Sequence, residues 1–486
     1  MRLLPLLLAA TALAGCTVGP DFTRPAAPST SAYLPPAEQP PLRTGGPSVV
    51  LGTGPASHWW AAFGSPDLDA LVERAMANNH SLAASNATLS AARDEVRGVT
   101  GRRQVQVDVN ARVDQEQVNL AGFGFSGNNP LASGGNPEFH LYSVGGGISY
   151  DLDLFGGLRR QAEQSTAQAE AQQRQTEAAH LSIAGQVVNQ VLTIAALRAQ
   201  IATANALLNE DLRNVDLTQK RRRGGEGTLV EVLNAQSQYA ADRGDLPQLE
   251  QQLAEARHLL ATLVGVAPSD LGATDFDLSR LTLPASIPVA LPSELVHRRP
   301  DILQAEADLH AAAAGVGVAT ARLYPDITLG ATLTQGAPGV GGLVKNAFRG
   351  YDIFAGLTAP IFHGGTLKAE RAAAINRARA SEATYQQTVL NAFGQVADLL
   401  SAIQNDTRSV TVQSESVAVA DRSRQLSRRS FQVGNSGIIQ VLETERLYQR
   451  SSNGLVVART RQFLNVARLY VATAGGWAGS ASNPAS

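Results

Sequence analysis

The stretch Val105-Gln106-Val107-Asp108-Val109-Asn110-Ala111-Arg112-Val113 alternates apolar and polar residues without a break. A period of two puts the valines on one face of a strand and Gln106, Asp108, Asn110 and Arg112 on the other. The pattern returns three times. Tyr142, Val144, Gly146, Ile148, Tyr150, Leu152 and Leu154 alternate with Ser143, Gly145, Gly147, Ser149, Asp151 and Asp153. Ile327, Leu329, Ala331 and Leu333 alternate with Thr328, Gly330, Thr332 and Thr334, and Tyr351, Ile353, Ala355, Leu357, Ala359 and Ile361 complete the set. One such segment fits an ordinary amphipathic strand. Four of them, paired around Gly122–Pro137 and Gly336–Gly342, fit transmembrane barrel strands of about ten residues, apolar outward and polar inward. Expected strands are 104–115, 141–155, 326–335 and 351–362.

Outward from the strands the period changes. No proline occurs from Asp67 to Asn129, from Glu138 to Leu246 or from Ile361 to Asn483. Proline costs ~3 kcal/mol inside a helix, so these stretches can hold long helices. Val389, Phe393, Val396, Leu400, Ile403, Thr407, Val410, Ser414 and Val417 recur at alternating intervals of four and three, as do Ile194, Leu197, Ile201, Ala204 and Leu208. That 3.5-residue repeat is a coiled-coil seam. A helix from near Gly157 to about Arg223 would be on the order of 100 Å long at ~1.5 Å per residue, which predicts an elongated object.

The chain also matches itself. Gly225 to Gln236 aligns with Gly434 to Glu445 at an offset of 209, and Leu158-Arg159 with Leu367-Lys368 at the same offset. Ser81-Leu82 aligns with Asp301-Ile302, and Ala91-Ala92 with Ala311-Ala312, at 220. Each half then reads helix, strand, loop, strand, long helix, glycine turn, helix, a duplicated unit. Four strands cannot close a barrel, since known outer-membrane barrels start at eight. An open edge in lipid leaves backbone groups unsatisfied at several kcal/mol each. Several copies must therefore share one barrel: two would supply eight strands, three twelve.

The chain begins with Arg2, an apolar stretch from Leu3 to Ala14, and Leu13-Ala14-Gly15-Cys16. The charged, apolar and small-residue regions are those of a secretory signal. Leu-Ala-Gly-Cys resembles the bacterial lipobox and holds the only cysteine. That resemblance implies a diacylglycerol and an acyl chain on Cys16. Thr17, in place of aspartate, is similar to outer-membrane sorting. Eight prolines lie between Pro20 and Pro47, which favours an extended tether over a packed element. No 18-residue apolar run is evident after Cys16, so no transmembrane helix is expected. The expected divisions are 1–15 signal, 16–56 lipidated extended segment, 57–265 first repeat, 266–291 linker, 292–475 second repeat and 476–486 tail.

Composition excludes several chemistries. Forty basic residues face 42 acidic ones, so there is no electrostatic case for nucleic acid. Three lysines, Lys220, Lys345 and Lys368, all lie outside any P-loop setting. One cysteine and eight scattered histidines give no disulfide and no metal cage. With no Gly-x-Ser-x-Gly elbow, the chain is not expected to be an enzyme. A structural coiled-coil lipoprotein remains the alternative, although it leaves four amphipathic strands unused.

The ordered motifs resemble a known family over nearly the whole mature chain. Cys16-Thr-Val-Gly-Pro-Asp-Phe-Thr-Arg-Pro25, Trp59-Trp60-x-x-Phe63, Arg298-Arg299-Pro300-Asp301-Ile302 with Ala305-Glu306, and Ala321-Arg322-Leu323-Tyr324-Pro325 are similar to signatures of TolC-like outer-membrane factors, specifically the NodT-type efflux lipoproteins. The resemblance implies a homotrimer: a shared 12-stranded β-barrel continuing into a periplasmic α-barrel of coiled-coil helices. Implied partners are a periplasmic adaptor, an inner-membrane pump, often of the resistance-nodulation-division class, and outer-membrane lipid. No cofactor is implied beyond the lipid on Cys16.

The resemblance also places candidate sites. Gly156, Gly157, Gly364 and Gly365 mark the passage from strand to helix. Gly225, Glu226, Gly227 and Thr228, with Gly434, Asn435, Ser436 and Gly437, lie at the inner tips that contact the adaptor. Those glycines equally serve two helical hairpins that reverse direction. Lys220-Arg221-Arg222-Arg223 reads as a solvated face that also meets the carboxyl end of a helix. Ile439, Gln440 and Glu443 match the family's narrow ring. Here Gln440 stands where some members carry aspartate and Glu443 where aspartate is usual, which halves the acidic ring. Glu443 also reads as an exposed helix carboxylate, and Phe431 as packing at the closed tip. The histidines read as surface or helix-face residues, Trp59, Trp60 and Trp477 as packing at a helical waist, and Tyr142, Tyr150 and Tyr351 as interfacial aromatics.

Overall fold

The computed structural model describes residues 17–35, 46–52, 54–117, 138–272 and 275–473. The signal, Cys16, the loop Gly122–Pro137, Trp477 and the tail 476–486 lie outside the described residues. In chain order come β1 (Ser48–Leu51), α1 (Pro66–Asn78), α2 (His80–Gly101), β2 (Gln106–Gln117) and β3 (Glu138–Asp151). Then follow α3 (Gly157–Arg223), α4 (Leu229–Val264), β4 (Ser286–Val289), α5 (Pro300–Ala321), β5 (Asp326–Ala337), β6 (Arg349–Thr358), α6 (Thr366–Gln432) and α7 (Ile438–Ala472). Helices α3 and α6 are 67 residues each.

The chain divides into two units. The first holds residues through Arg24, Ser90–Ala171 and Glu306–Ala383. Its centre is an antiparallel sheet in the order β2-β3-β5-β6. Register settles which side chains share a face. Val107 pairs with Ile148, Ile148 with Ala331, and Ala331 with Ile353. The row Val109–Gly146–Leu333–Tyr351 lies beside it on the same face. The opposite face carries Asp108–Gly147–Thr332–Asp352 and Asn110–Gly145–Thr334–Gly350. The period-two alternation is therefore one property of the whole sheet, apolar on one side and polar on the other. Within the protomer β2 and β6 are its edges, and Val107, Val109, Ile353 and Leu357 are all exposed.

Two strands stop earlier than their alternation suggests. β3 ends at Asp151, because Asp153 turns to a φ of 45°. β6 ends at Thr358, two residues before Pro360, which has no N–H to continue a ladder.

The second unit holds Pro25–Leu89, Gln172–Ala305 and residues from Thr384 onward. Its core gathers Trp59, Phe63 and Leu68 with Val187, Val191 and Leu192 of α3, Leu260 and Val264 of α4, Val396, Leu400 and Ile403 of α6, and Val466 and Leu469 of α7. Trp59 stacks on Tyr470 at 5.4 Å. The seams of α3 and α6 bury their apolar positions here, as the 3.5-residue repeat requires.

Two expectations need correction, and one helix carries a proline. The proline-rich segment is not wholly a tether: its end forms β1, which pairs in parallel with β4. β4 lies inside the expected linker, and neither four-residue strand would hold without the other. One window of α3 is, by length and composition, apolar enough to cross a membrane, with mean hydropathy 1.5. Half of that window is buried inside the protein, where α3 passes through the core at Val187, Val188 and Val191. Lastly, α4 continues through Pro247. A helix of 36 residues tolerates one lost backbone bond when its two ends are held by other contacts.

Candidate functional site: the helical turns and the edges of the sheet

Both glycine turns have the expected geometry. Gly225 (φ 82°) and Gly434 (φ 79°) sit in left-handed backbone after α3 and α6, a conformation a Cβ disfavours. Glu226 N donates to Arg221 O at 2.9 Å and Asn435 N to Ser430 O at 2.8 Å, closing each helix end. Thr228 and Glu231 form a capping box at the start of α4. Gly437 precedes α7 with no side-chain cap. Gly225, Glu226, Thr228, Gly434, Asn435 and Gly437 are exposed, while Gly227 and Ser436 are half-buried.

The structure brings the two turns together. The Arg221 guanidinium lies over the Phe431 ring at 4.6 Å, so Arg221 is not part of a solvated charge face. Phe431 packs with Ile438, Val441, Leu442 and Leu217 in a small separate core. Ile439, Gln440 and Glu443 are exposed on α7, with Glu443 one turn beyond the other two, at spacings of four and three.

One cluster on these helices went unread in the sequence. Arg428 of α6 donates to Glu445 of α7 at 2.5 Å and also pairs with Glu210 of α3. Glu445 is only 2% exposed. Burial pushes its carboxyl up, against the pull of Arg428 and Arg424. Arg424 pairs with Asp421 at 2.6 Å and lies over the Tyr448 ring. The signal was present in the repeat. Continued past Leu208 and Val417, the two seams reach Asp211 on one side and Asp421, Arg424 and Arg428 on the other. The seams thus switch from apolar to charged before the turns.

At the sheet, Gly156 (φ 75°), Gly364 (φ 57°) and Gly365 (φ 87°) sit at the strand-to-helix passages in left-handed backbone. Asp153 caps α3, accepting from Leu158 N at 2.8 Å and Arg159 N at 2.9 Å; an acid is favoured at that helix end.

The segment after Cys16 is strapped to the same unit. Val18 N donates to Phe155 O at 3.1 Å, and Thr17 lies against Gly156. Gly19 crosses Gly317 so closely that an added Cβ would lie 2.4 Å from the Gly317 Cα. Asp21 pairs with the buried Arg160, which also holds Glu163, and Arg24 pairs with Glu306. His310 bonds Glu163 at 2.9 Å and stacks on Phe22, which corrects its reading as a plain helix-face residue. The other signature residues also find partners. Arg299 is bidentate to Asp301 and caps the end of α7 through Ala472 O. Phe155 stacks on Tyr324 at 4.6 Å.

A sheet with one apolar and one polar face, in a chain whose two halves each run on into a 67-residue helix, fits a channel component of an outer-membrane export machine. The chain belongs to the outer membrane efflux protein family, whose profile matches residues 71–266 and 291–475. It is 32% identical over 483 residues to the pyoverdine export outer membrane protein OpmQ of Pseudomonas aeruginosa, covering 98% of this chain and 97% of that protein. It is 26% identical over 479 residues to the cation efflux system protein CusC of Escherichia coli, covering 98% and 99%. Among solved structures, the outer-membrane channel OprN superposes with a TM-score of 0.84 at 28% identity, over 95% of this chain and all of that one. The Campylobacter jejuni channel CmeC shares the fold, with a TM-score of 0.85 at 17% identity, over 95% of each chain.

Proposed function

We propose that three copies of this chain form one lipid-anchored passive duct that carries small molecules from an inner-membrane pump across the periplasm and outer membrane. The observation that carries this reading is the four-stranded sheet, with one continuous apolar face and two unpaired edges, β2 and β6. In a bilayer those edges must pair with other copies, and three copies supply twelve strands. The matched bounds of α3 and α6 support the duplicated unit. A pump of the resistance-nodulation-division class and its adaptor would meet the exposed turns Gly225–Thr228 and Gly434–Gly437. Native mass spectrometry of the detergent-extracted chain should give three copies per particle, with conductance in planar bilayers. A monomeric or dimeric particle would remove the reading.

Anchoring on Cys16 is supported by the strap, which holds Thr17 beside the end of β3. A thiol-linked lipid one residue earlier would enter the bilayer where the strands leave it. Cys16→Ser should therefore abolish incorporation of labelled palmitate while the trimer still forms. Labelling equal to that of the native chain would contradict the lipobox.

The ring of Ile439, Gln440 and Glu443 would form the resting constriction. With Gln440 neutral, three Glu443 carboxylates on the axis carry the field that attracts divalent cations. Glu443→Gln should weaken divalent-cation block of single-trimer conductance, and Ile439→Ala should widen the pore without changing that block. Unchanged block in Glu443→Gln would make Glu443 an exposed helix carboxylate and nothing more.

A further inference from the structure

Asp211 stands out among the charged groups of the polar seam. It is 1% exposed, and neither carboxyl oxygen meets a hydrogen-bond donor among the described residues. The group within hydrogen-bonding reach is another carboxyl, Asp242 of α4. Two carboxyls share a hydrogen bond only when one of them carries a proton.

The surrounding charges make full ionisation harder still. The charges of Glu210 on α3 and Glu445 on α7 both disfavour an ionised Asp211. The nearby cations are committed elsewhere: Arg428 to Glu210 and Glu445, Arg424 to Asp421 and, at 3.8 Å, to Glu445. Gln238 donates to Asp242 at 2.5 Å, on the side of α4 itself. None of these groups donates to Asp211 in the packed arrangement, and the Asn214 amide one turn along α3 is also buried without a partner.

We propose that Asp211 and Asp242 share one proton that holds α3 against α4 partway along the hairpin that ends in their glycine turn, so that loss of this proton loosens the hairpin and makes the channel end respond to periplasmic pH. The proposal rests on the channel reading only for its last step; the proton site is a property of the hairpin itself. Burial, with the Asp242 carboxylate second, pushes the Asp211 carboxyl up to about 7. In a loosened, hydrated hairpin the same group returns toward the ordinary carboxylate value of about 4. The packed form therefore binds the proton more tightly. Its advantage is fully present below about pH 4 and is lost as pH rises through about 7. The loosening equilibrium moves about thirtyfold between pH 5.5 and pH 8, and levels off above the packed-state value.

The test uses the full lipidated chain in detergent and in planar bilayers between pH 5.5 and 8.5. Amide hydrogen exchange, corrected for its intrinsic pH dependence, is read over residues 205–222 and 229–245, with the strands as reference for folding. In the native chain, exchange there and open probability should both rise by more than tenfold across this range. Asp211→Asn keeps a neutral hydrogen-bonding group and should stay protected and pH-independent. Asp242→Asn supplies a donor to ionised Asp211 and should shift the midpoint to lower pH. If Asp211→Asn keeps the native pH profile, or the native chain shows none, the proposal is wrong. Should the bilayers show no conductance at all, the channel reading fails, while the exchange data still decide the proton site.

Discussion

Arginine in place of Val109 will keep the chain out of the outer membrane, while arginine in place of Gln106 will be tolerated. Val109 lies in the apolar row with Leu333 and Tyr351 and is 80% exposed within the protomer. A lysine or arginine on the lipid face near the midplane costs about 2–4 kcal/mol per copy. In the proposed barrel of three copies that becomes roughly 6–12 kcal/mol, on the order of a whole domain's stability. Gln106 pairs with Ser149 on the opposite face, where a barrel interior is wet. Recovery from outer-membrane fractions and heat-modifiable migration measure both variants. Equal loss for the two would mean that neither face meets lipid, and the alternative of a tethering lipoprotein would return.

The second large effect belongs to Arg428. Its removal leaves Glu445 buried with only Arg424, at 3.8 Å, and strips Glu210 of a partner on another helix. Breaking a buried ion pair from one side costs about 3–5 kcal/mol. Arg428 is itself partly exposed, so the lower end, on the order of 3 kcal/mol, is expected. Arg428→Met should lower the thermal midpoint of the detergent-extracted assembly and raise its resting conductance, because α6 is no longer tied to α3 and α7. Adding Glu445→Met removes the stranded charge and should restore much of the stability but not the low conductance, since the tie to Glu210 is still missing. A double variant as unstable as the single one would show that the stranded Glu445 charge is not the cause.

Legibility in the sequence followed the range of the interactions. The four strands of the sheet were readable because period-two alternation is local; β3 and β6 stop short where Asp153 and Pro360 intervene, and their other ends, like those of β2 and β5, moved by no more than about three residues. The helix Gly157–Arg223 was readable end to end, since it lacks proline and stops at a glycine turn. The two turns were readable twice over, from glycine and from repetition. The cluster of Arg428, Glu445, Glu210, Asp211 and Asp242 was not. Each of these residues looks like an exposed helix charge in its own segment. Only extension of the seams beyond their last apolar residue hints that some of them face inward.

The sequence by itself determined the kinds of element and their approximate lengths, because side-chain period, proline and glycine act on the nearest few residues. It also determined that four strands are too few to close. The tertiary structure alone decided the order β2-β3-β5-β6, the pairing of β1 with β4 across more than 230 residues, and the crossing of Gly19 over Gly317. It alone buried Asp211 against Asp242. The reason is physical: desolvation and charge pairing depend on which surfaces meet, and no local pattern records the group that arrives from another helix.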